Sequence, residues 1–507
     1  MKKITTRWLI GFAALALYNP VAGADKTPVS LPPVSASEIV SQNTVKGLTG
    51  KVRDVAVRAP APTSIPPVSA VERSADIDLQ RMAQWAMNYL IRSPRKEFDY
   101  EPVFQANLMN CPPVPGGHDV VVACDTDARM DWEWYYMREI SGSMAGKDTE
   151  AAFHKRMLAY VRADGTVLSH PGCYNEGDIN RVYMEKDYVY HVWGATKILN
   201  SLAEDFRRTG NERSKETARK IMLRLKMLAV YPVPGRCYFP AGMMSNAAMI
   251  ARGGHPEYFD NVERYLRNRI SPCQFVVTPE FEAEYRMVNR ACGEEKIWQG
   301  LEDVRKLQGG IRSCCGLNDI ENSILKGTYI MLAGCCAPEG MRAIYTTWSH
   351  VIDRYPASKL GPAGVYVNMS FNRDSKWGRV VSFMPKTGRL TVKAGVQDDF
   401  FLRPPHWAPR DQVKAFVGSH AVPVQWSGDY VGFTGIKIGD ELTIVYPLLH
   451  FLHEAGGTWK NGLPSVNVTY EWLGNMVIAV DPPAAKTPIF SPEVRILPPP
   501  PAEVLEK

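Results

Sequence analysis

Two pairs of adjacent cysteines, Cys314-Cys315 and Cys335-Cys336, are the residues best placed by type and spacing to do chemistry. Cys335-Cys336 leads into Ala337-Pro338-Glu339-Gly340. Met341, Ile344, Tyr345, Trp348 and Ile352 then recur at the spacing of a buried helix face. The pattern predicts a helix over 338–353. Pro338 suits its first turn, where a missing N–H costs nothing. The pair therefore stands at a helix N-terminus, where backbone N–H groups and the dipole favour thiolate over thiol. Adjacent cysteines rarely bond to each other, because the eight-membered ring strains the backbone. The pairs point instead to a metal, to disulfides with separate partners, or to a reactive thiol. Four thiolates from Cys314, Cys315, Cys335 and Cys336 would suit zinc. Against a single site, a helix expected over 317–333, ~25 Å long, separates the pairs. Glu321 is a further zinc-ligand candidate, although Asp319 and Glu321, like Glu339, also suit a first helical turn.

Carboxylates form the second constellation. Hydrolysis of a glycosidic bond ordinarily needs two of them flanking the bond. Asp125-Thr126-Asp127-Ala128-Arg129 reads as the end of a loop containing Gly116-Gly117-His118, leading into a helix with Trp132, Trp134, Tyr135 and Tyr136. Acids beside aromatics suit a sugar cleft, with Asp125 catalytic and Asp127, Arg129 and Trp132 holding substrate. The same residues also suit a helix cap followed by core aromatics. The stretch 170–187 is the alternative, with Glu176 as its catalytic candidate and Tyr174 as its sugar contact. It could equally be an ordinary solvated loop. The sequence has no Gly-x-Ser-x-Gly elbow, phosphate loop or His-Glu-x-x-His motif.

These residues must be positioned by two kinds of element. Helical periodicity marks a stripe through Leu79, Met82, Trp85, Ala86, Tyr89 and Leu90, then helices near 129–140, 149–162, 186–208, 214–229, 256–270, 317–333 and 338–353. Thr209-Gly210-Asn211 reads as a helix-hairpin turn with glycine just past the helix end. So many helices in one region predict a toroid of hairpins, an (α/α)6 barrel, over 76–355. After Pro356 the period becomes 2, as in Gly364–Ser370, Arg389–Lys393 and Glu441–Tyr446, predicting a C-terminal antiparallel β-sandwich over 360–492. Pro498–Pro501 mark a Pro-rich tail over 493–507.

The 507 residues carry a net charge of +6 with no long basic run, which offers no electrostatic footprint for nucleic acid. Lys2, Lys3 and Arg7, the apolar run Trp8–Tyr18 and Ala22-Gly23-Ala24 read as a signal peptide over 1–24. No later stretch is apolar enough for a membrane span. Periplasmic or secreted localisation follows, and with it an oxidising compartment. Cys111 with Cys124, or Cys273 with Cys292, are the disulfide candidates. Residues 25–75, with Pro60, Pro62, Pro66 and Pro67, read as a Pro-rich disordered linker.

Taken together, Cys335-Cys336-Ala337-Pro338, Val365-Tyr366-Val367-Asn368, Leu402-Arg403-Pro404-Pro405-His406-Trp407-Ala408 and Gly439-Asp440-Glu441-Leu442-Thr443-Ile444-Val445-Tyr446-Pro447-Leu448 resemble the β-L-arabinofuranosidase-like proteins of glycoside hydrolase family 127. The resemblance spans about 255–490 and is vaguer over 76–254. It implies the same barrel-and-sandwich architecture and a carbohydrate substrate. It further implies Cys335 as nucleophile and zinc held by Cys335 and Cys336. The family's Glu-x-Cys zinc motif is absent, because no cysteine here follows a glutamate by two positions. Met222–Ala241, where the acid/base glutamate would stand, holds no carboxylate. The expected function is an exported glycoside hydrolase on oligosaccharide or polysaccharide. An inactive glycan-binding or structural protein on the same scaffold, or a polysaccharide lyase, are the alternatives.

Overall fold

The computed structural model describes residues 51–62, 77–96, 99–100, 102, 105–111, 115–116, 122–169, 181–185, 188–227, 240–312, 331–334, 336–456, 467–481 and 497–505. The chain divides into units Met1–Ser35 and Ala36–Lys507. The first, with the expected signal peptide, lies outside the described residues.

A helical region precedes a β-rich one. Its helices are α1 (Leu79–Arg92), α2 (Val122–Ser141), α3 (Lys147–Ala159), α4 (Val192–Thr209), α5 (Glu212–Met227), α6 (Pro240–Arg252), α7 (Phe259–Tyr265), α8 (Pro279–Val288), α9 (Glu294–Lys306) and α10 (Cys336–Val351). Asp78 caps α1 by accepting from Arg81 N at 2.9 Å, and the expected stripe of α1 is buried. Gly210, at φ +73°, makes the α4–α5 turn in the left-handed region as its position predicted. α2 packs against α1, α3, α4 and α10, and α10 also packs against α6. None of the helices among the described residues is long and apolar enough to cross a membrane.

Four expectations need correction. Of the helix expected over 186–208, residues 186–187 lie outside the described residues and 188–191 are not helical. Tyr188–His191 is a strand between Leu168–Ser169 and Arg181–Glu185, in keeping with its Tyr-Val-Tyr alternation. Of the helix expected over 317–333, residues 317–330 lie outside the described residues, and Met331–Ala333 is a strand. It pairs with Gln105–Asn107, which supplies hydrogen bonds that sequence periodicity cannot register. Within the expected 25–75 linker, Lys51–Ala59 is a Pro-free strand that adds antiparallel to Leu448–Gly456 with two register shifts. Arg53 Nε meets Glu454 Oε1 across this edge at 2.6 Å.

The fourth correction concerns the sandwich, which is not wholly antiparallel. Asp398–Leu402 pairs antiparallel with Tyr430–Ile436 on one side but parallel with Gly364–Val367 on the other. Between those parallel strands the chain builds Arg373–Ser375, Gly378–Ser382 and Arg389–Ala394 into a separate six-stranded sheet. It therefore returns by a crossover in the original direction. The five- and six-stranded sheets feed one apolar core through Val365, Val367, Phe400 and Leu402 from the first and Val380, Leu390, Val392 and Ile444 from the second. The first strand of the β region, Ile352–Tyr355, follows α10 without a loop.

Three of the sequence motifs hold this helix–sheet junction. Asn368 donates to His350 O at 2.9 Å and accepts from the Tyr430 hydroxyl at 2.8 Å. Its carbonyl accepts from Arg403 Nε at 2.7 Å. Arg403 also forms a buried ion pair with Asp260 at 2.9 Å, and His406 N donates to the other oxygen of Asp260 at 2.8 Å. Tyr446 and Ser370 share a hydroxyl hydrogen bond of 3.0 Å, while Ser370 N donates to Glu263 at 2.7 Å. Burial alone would raise Asp260, but Arg403 and Arg264 outweigh it and hold the carboxylate below its usual range. The tail closes over the helices: Trp85 Nε1 donates to Pro498 O at 2.8 Å and Ser143 Oγ to Val504 O at 2.6 Å.

Candidate functional site

The site candidate is the seam between α2 and α10. α10 begins at Cys336, with Pro338 and Glu339 in its first turn. Gly340 is buried where a side chain would strike Ile311, so its lack of a Cβ lets the opening turn sit against the core. α2 turns Arg129, Trp132, Glu133 and Tyr136 toward this helix, the i, i+3, i+4, i+7 pattern of one face. α10 answers with Glu339, Arg342 and Tyr345.

The contacts along the seam are specific. Arg129 Nη1 meets Glu339 Oε1 at 2.8 Å, both groups being nearly inaccessible to water. Arg342 stands 4.8 Å over the Trp132 ring, and Lys197 of α4 lies 6.0 Å from the same ring. Tyr136 and Tyr345 stack with centroids 4.0 Å apart. Arg208 from α4 covers the Tyr136 ring at 5.2 Å and pairs with Glu139 at 2.7 Å.

Glu133 is the unusual member. It is 0% exposed, its Oε1 accepts from Trp132 Nε1 at 2.5 Å, and its Oε2 has no hydrogen-bond partner. Burial pushes its carboxyl well above the ordinary carboxylate range. Arg342 opposes that rise, while Glu339 and Glu204 add to it. Burial thus favours the protonated form of Glu133, the form a proton donor requires, near the opening turn of a helix that bears a cysteine.

A second network lies on another side of α2. His154 Nδ1 is 3.0 Å from both oxygens of Asp131, and Ser201 Oγ donates to Asp131. Burial lowers the His154 pKa, but Asp131 outweighs it and the net shift is upward. In a Ser-His-Asp nucleophile the histidine bridges serine and aspartate. Here the aspartate bridges the other two, so the serine gains no base. This network ties α2, α3 and α4 together.

The sequence candidates separate in the structure. Residues 125–129, expected as a loop end, lie inside α2, which starts at Val122; the side chain of Asp125 falls outside the described residues. Arg129 and Trp132 do meet α10. Asp127 faces α3, where its buried carboxylate pairs with Arg156 Nε at 3.1 Å. Both Asp127 and Arg129 are thus engaged in buried ion pairs. Cys314, Cys315, Glu321, Cys335, Tyr174 and Glu176 lie outside the described residues. Among the described residues no three His, Cys, Asp or Glu side chains gather as a metal site, and Glu339 is engaged by Arg129. Sequence reasoning missed Glu133 and Arg342. The available signal was a carboxylate inside the aromatic run Trp132-Glu133-Trp134-Tyr135-Tyr136, four residues after Arg129.

No family model matches this sequence, and no curated protein does. Similar solved structures include a GH127 β-arabinofuranosidase at 12% identity, covering 83% of this chain and 84% of that one with TM-score 0.41. A GH127 β-L-arabinofuranosidase from Geobacillus stearothermophilus T6 has 11% identity, coverage of 78% and 75%, and TM-score 0.33. A structure described as a glycoside hydrolase has 10% identity, coverage of 86% and 84%, and TM-score 0.37. At these identities and TM-scores the likenesses carry no argument about the reaction.

Proposed function

We propose that this protein is an exported glycoside hydrolase, acting on oligosaccharide or polysaccharide through the α2–α10 seam. The reading takes the helical region as an (α/α)6 barrel and includes an arabinofuranosidase-like activity. The observation that carries it is Glu133, a fully buried carboxyl with one oxygen unengaged, facing the helix that opens at Cys336, where burial favours its protonated form. In this reading the Cys335 thiolate attacks the anomeric carbon while Glu133 gives its proton to the departing glycosidic oxygen. The bond between that carbon and that oxygen breaks, and a thioglycosyl enzyme forms. Glu133, now a carboxylate, then takes a proton from the water that displaces the thiolate, which restores both groups. Zinc on Cys335 and Cys336 belongs to the same reading as an aid to thiolate formation.

A second reading has an observation of its own. Glu133 is fully buried, and Asp127, Arg129 and Glu339 are closed into ion pairs. That is what a catalytically silent glycan-binding or structural protein on this scaffold would keep. Aryl glycosides, aryl β-L-arabinofuranosides among them, separate the two readings. Turnover that Cys335→Ala abolishes, with zinc measured on both proteins, supports the enzyme. Saturable glycan binding without turnover supports the silent scaffold.

A further inference from the structure

The turn that ends at Cys111 is tied to the α8–α9 connection at several points. Tyr285 donates its hydroxyl proton to Asn110 O at 2.9 Å, and Asn289 Nδ2 donates to Met109 O at 2.9 Å. The Cys111 thiol donates to Lys296 O at 3.1 Å. Cys292 ends the short helical turn Arg290–Cys292 between α8 and α9, between the Asn289 and Lys296 contacts to the Cys111 turn, and burial and then the Cys111 thiol push its own thiol pKa up. The Tyr285 hydroxyl and the Cys111 sulfur both pack against Gly300. Both cysteines are half-buried at the edge of the apolar core. The pairings expected from the sequence were Cys111 with Cys124, whose side chain lies outside the described residues, and Cys273 with Cys292. Cys273 is fully buried, and its carbonyl accepts from Arg312 N at 2.8 Å.

We propose that Cys111 and Cys292 are a disulfide-forming pair that fastens the Gln105–Cys111 segment to the α8–α9 connection. The oxidant is a disulfide, either glutathione disulfide or that of a thiol oxidase. One protein thiolate attacks it, releasing one thiol and leaving a mixed disulfide. The second protein thiolate then attacks the protein sulfur of that mixed disulfide and releases the other thiol. Two protein thiols together lose two protons and two electrons, one S–S bond forms, and the oxidant's S–S bond is reduced to two thiols. A long loop is closed, which restricts the unfolded chain. Meeting an oxidant inside the cell envelope or medium rests on the export reading; the pairing itself rests on the geometry.

The test is peptide mapping. Purified, reduced full-length protein is treated with glutathione disulfide, denatured, alkylated without reductant and digested. The expected result is one cross-linked peptide joining Cys111 to Cys292, with both protected from alkylation. A melting temperature higher before reduction than after is also expected, and this difference should vanish in Cys111→Ser/Cys292→Ser. Alkylation of both residues after oxidation, or links from Cys111 to Cys124 or Cys292 to Cys273, would overturn the proposal. Native protein from the periplasm or medium is mapped in parallel. Reduced native material alongside a link that forms in vitro would count against export and support the pair.

Discussion

Arg129 on α2 and Glu339 on α10 form a 2.8 Å ion pair from which water is nearly absent. It joins the helix carrying Glu133 to the helix that opens at Cys336. Removing Arg129 leaves Glu339 charged and nearly buried, with Arg342 at 4.0 Å offsetting its charge only in part. Arg129→Met should therefore lower stability by about 3–5 kcal/mol. Arg129→Met/Glu339→Leu should recover much of that loss, because no orphaned charge remains. Urea unfolding of both variants checks this. A double variant no better than the single one would mean the pair is not the coupling.

Glu133 sets a pH dependence whose sign follows from its raised pKa. The folded state keeps its proton to higher pH than the unfolded state, in which a glutamate titrates near 4.3. Between those two values the folded state binds more protons, so stability falls as pH rises. Glu133→Gln removes that loss. The variant should melt above the wild type at neutral pH, with the gap growing by up to about 1.4 kcal/mol per pH unit across the window. The gap should close below pH ~4. Melting curves from acid to neutral pH measure it, and a constant offset would show that Glu133 titrates normally.

Gly340 tests how the opening turn of α10 is seated. An added Cβ would fall 2.6 Å from Ile311 Cβ. Gly340→Ala should cost about 1–3 kcal/mol through overpacking. Thermal melts of the variant and the wild type would reveal this cost.

Much of the fold was legible because it is local. The change from helical to alternating period after Pro356, the Gly210 hairpin and Pro338 in the first turn of α10 all depend on neighbours in sequence. Tertiary partners decided the rest. Lys51–Ala59 exposes its described side chains and becomes a strand only because Leu448–Gly456 offers an edge. The parallel pairing of Asp398–Leu402 needs the intervening strands to cross to another sheet. The motifs that carried the family resemblance turned out to hold the junction: Arg403 on Asp260, Asn368 between Arg403 and Tyr430. They report architecture and are silent on chemistry. Glu133 was overlooked for a related reason. A carboxylate in an aromatic helix looks solvent-facing until α10, far later in the chain, closes over it.

The role of Glu133 as proton donor is tested most directly by the leaving-group dependence of hydrolysis. A general acid matters most when the departing oxygen is a poor leaving group. Glu133→Gln should lower kcat/KM by about 10²–10⁴ for glycosides with poorly departing alcohols, and far less for dinitrophenyl glycosides, which leave without a proton. Equal losses on both substrates, or wild-type protein that cleaves neither, would contradict the assignment of Glu133 as the acid.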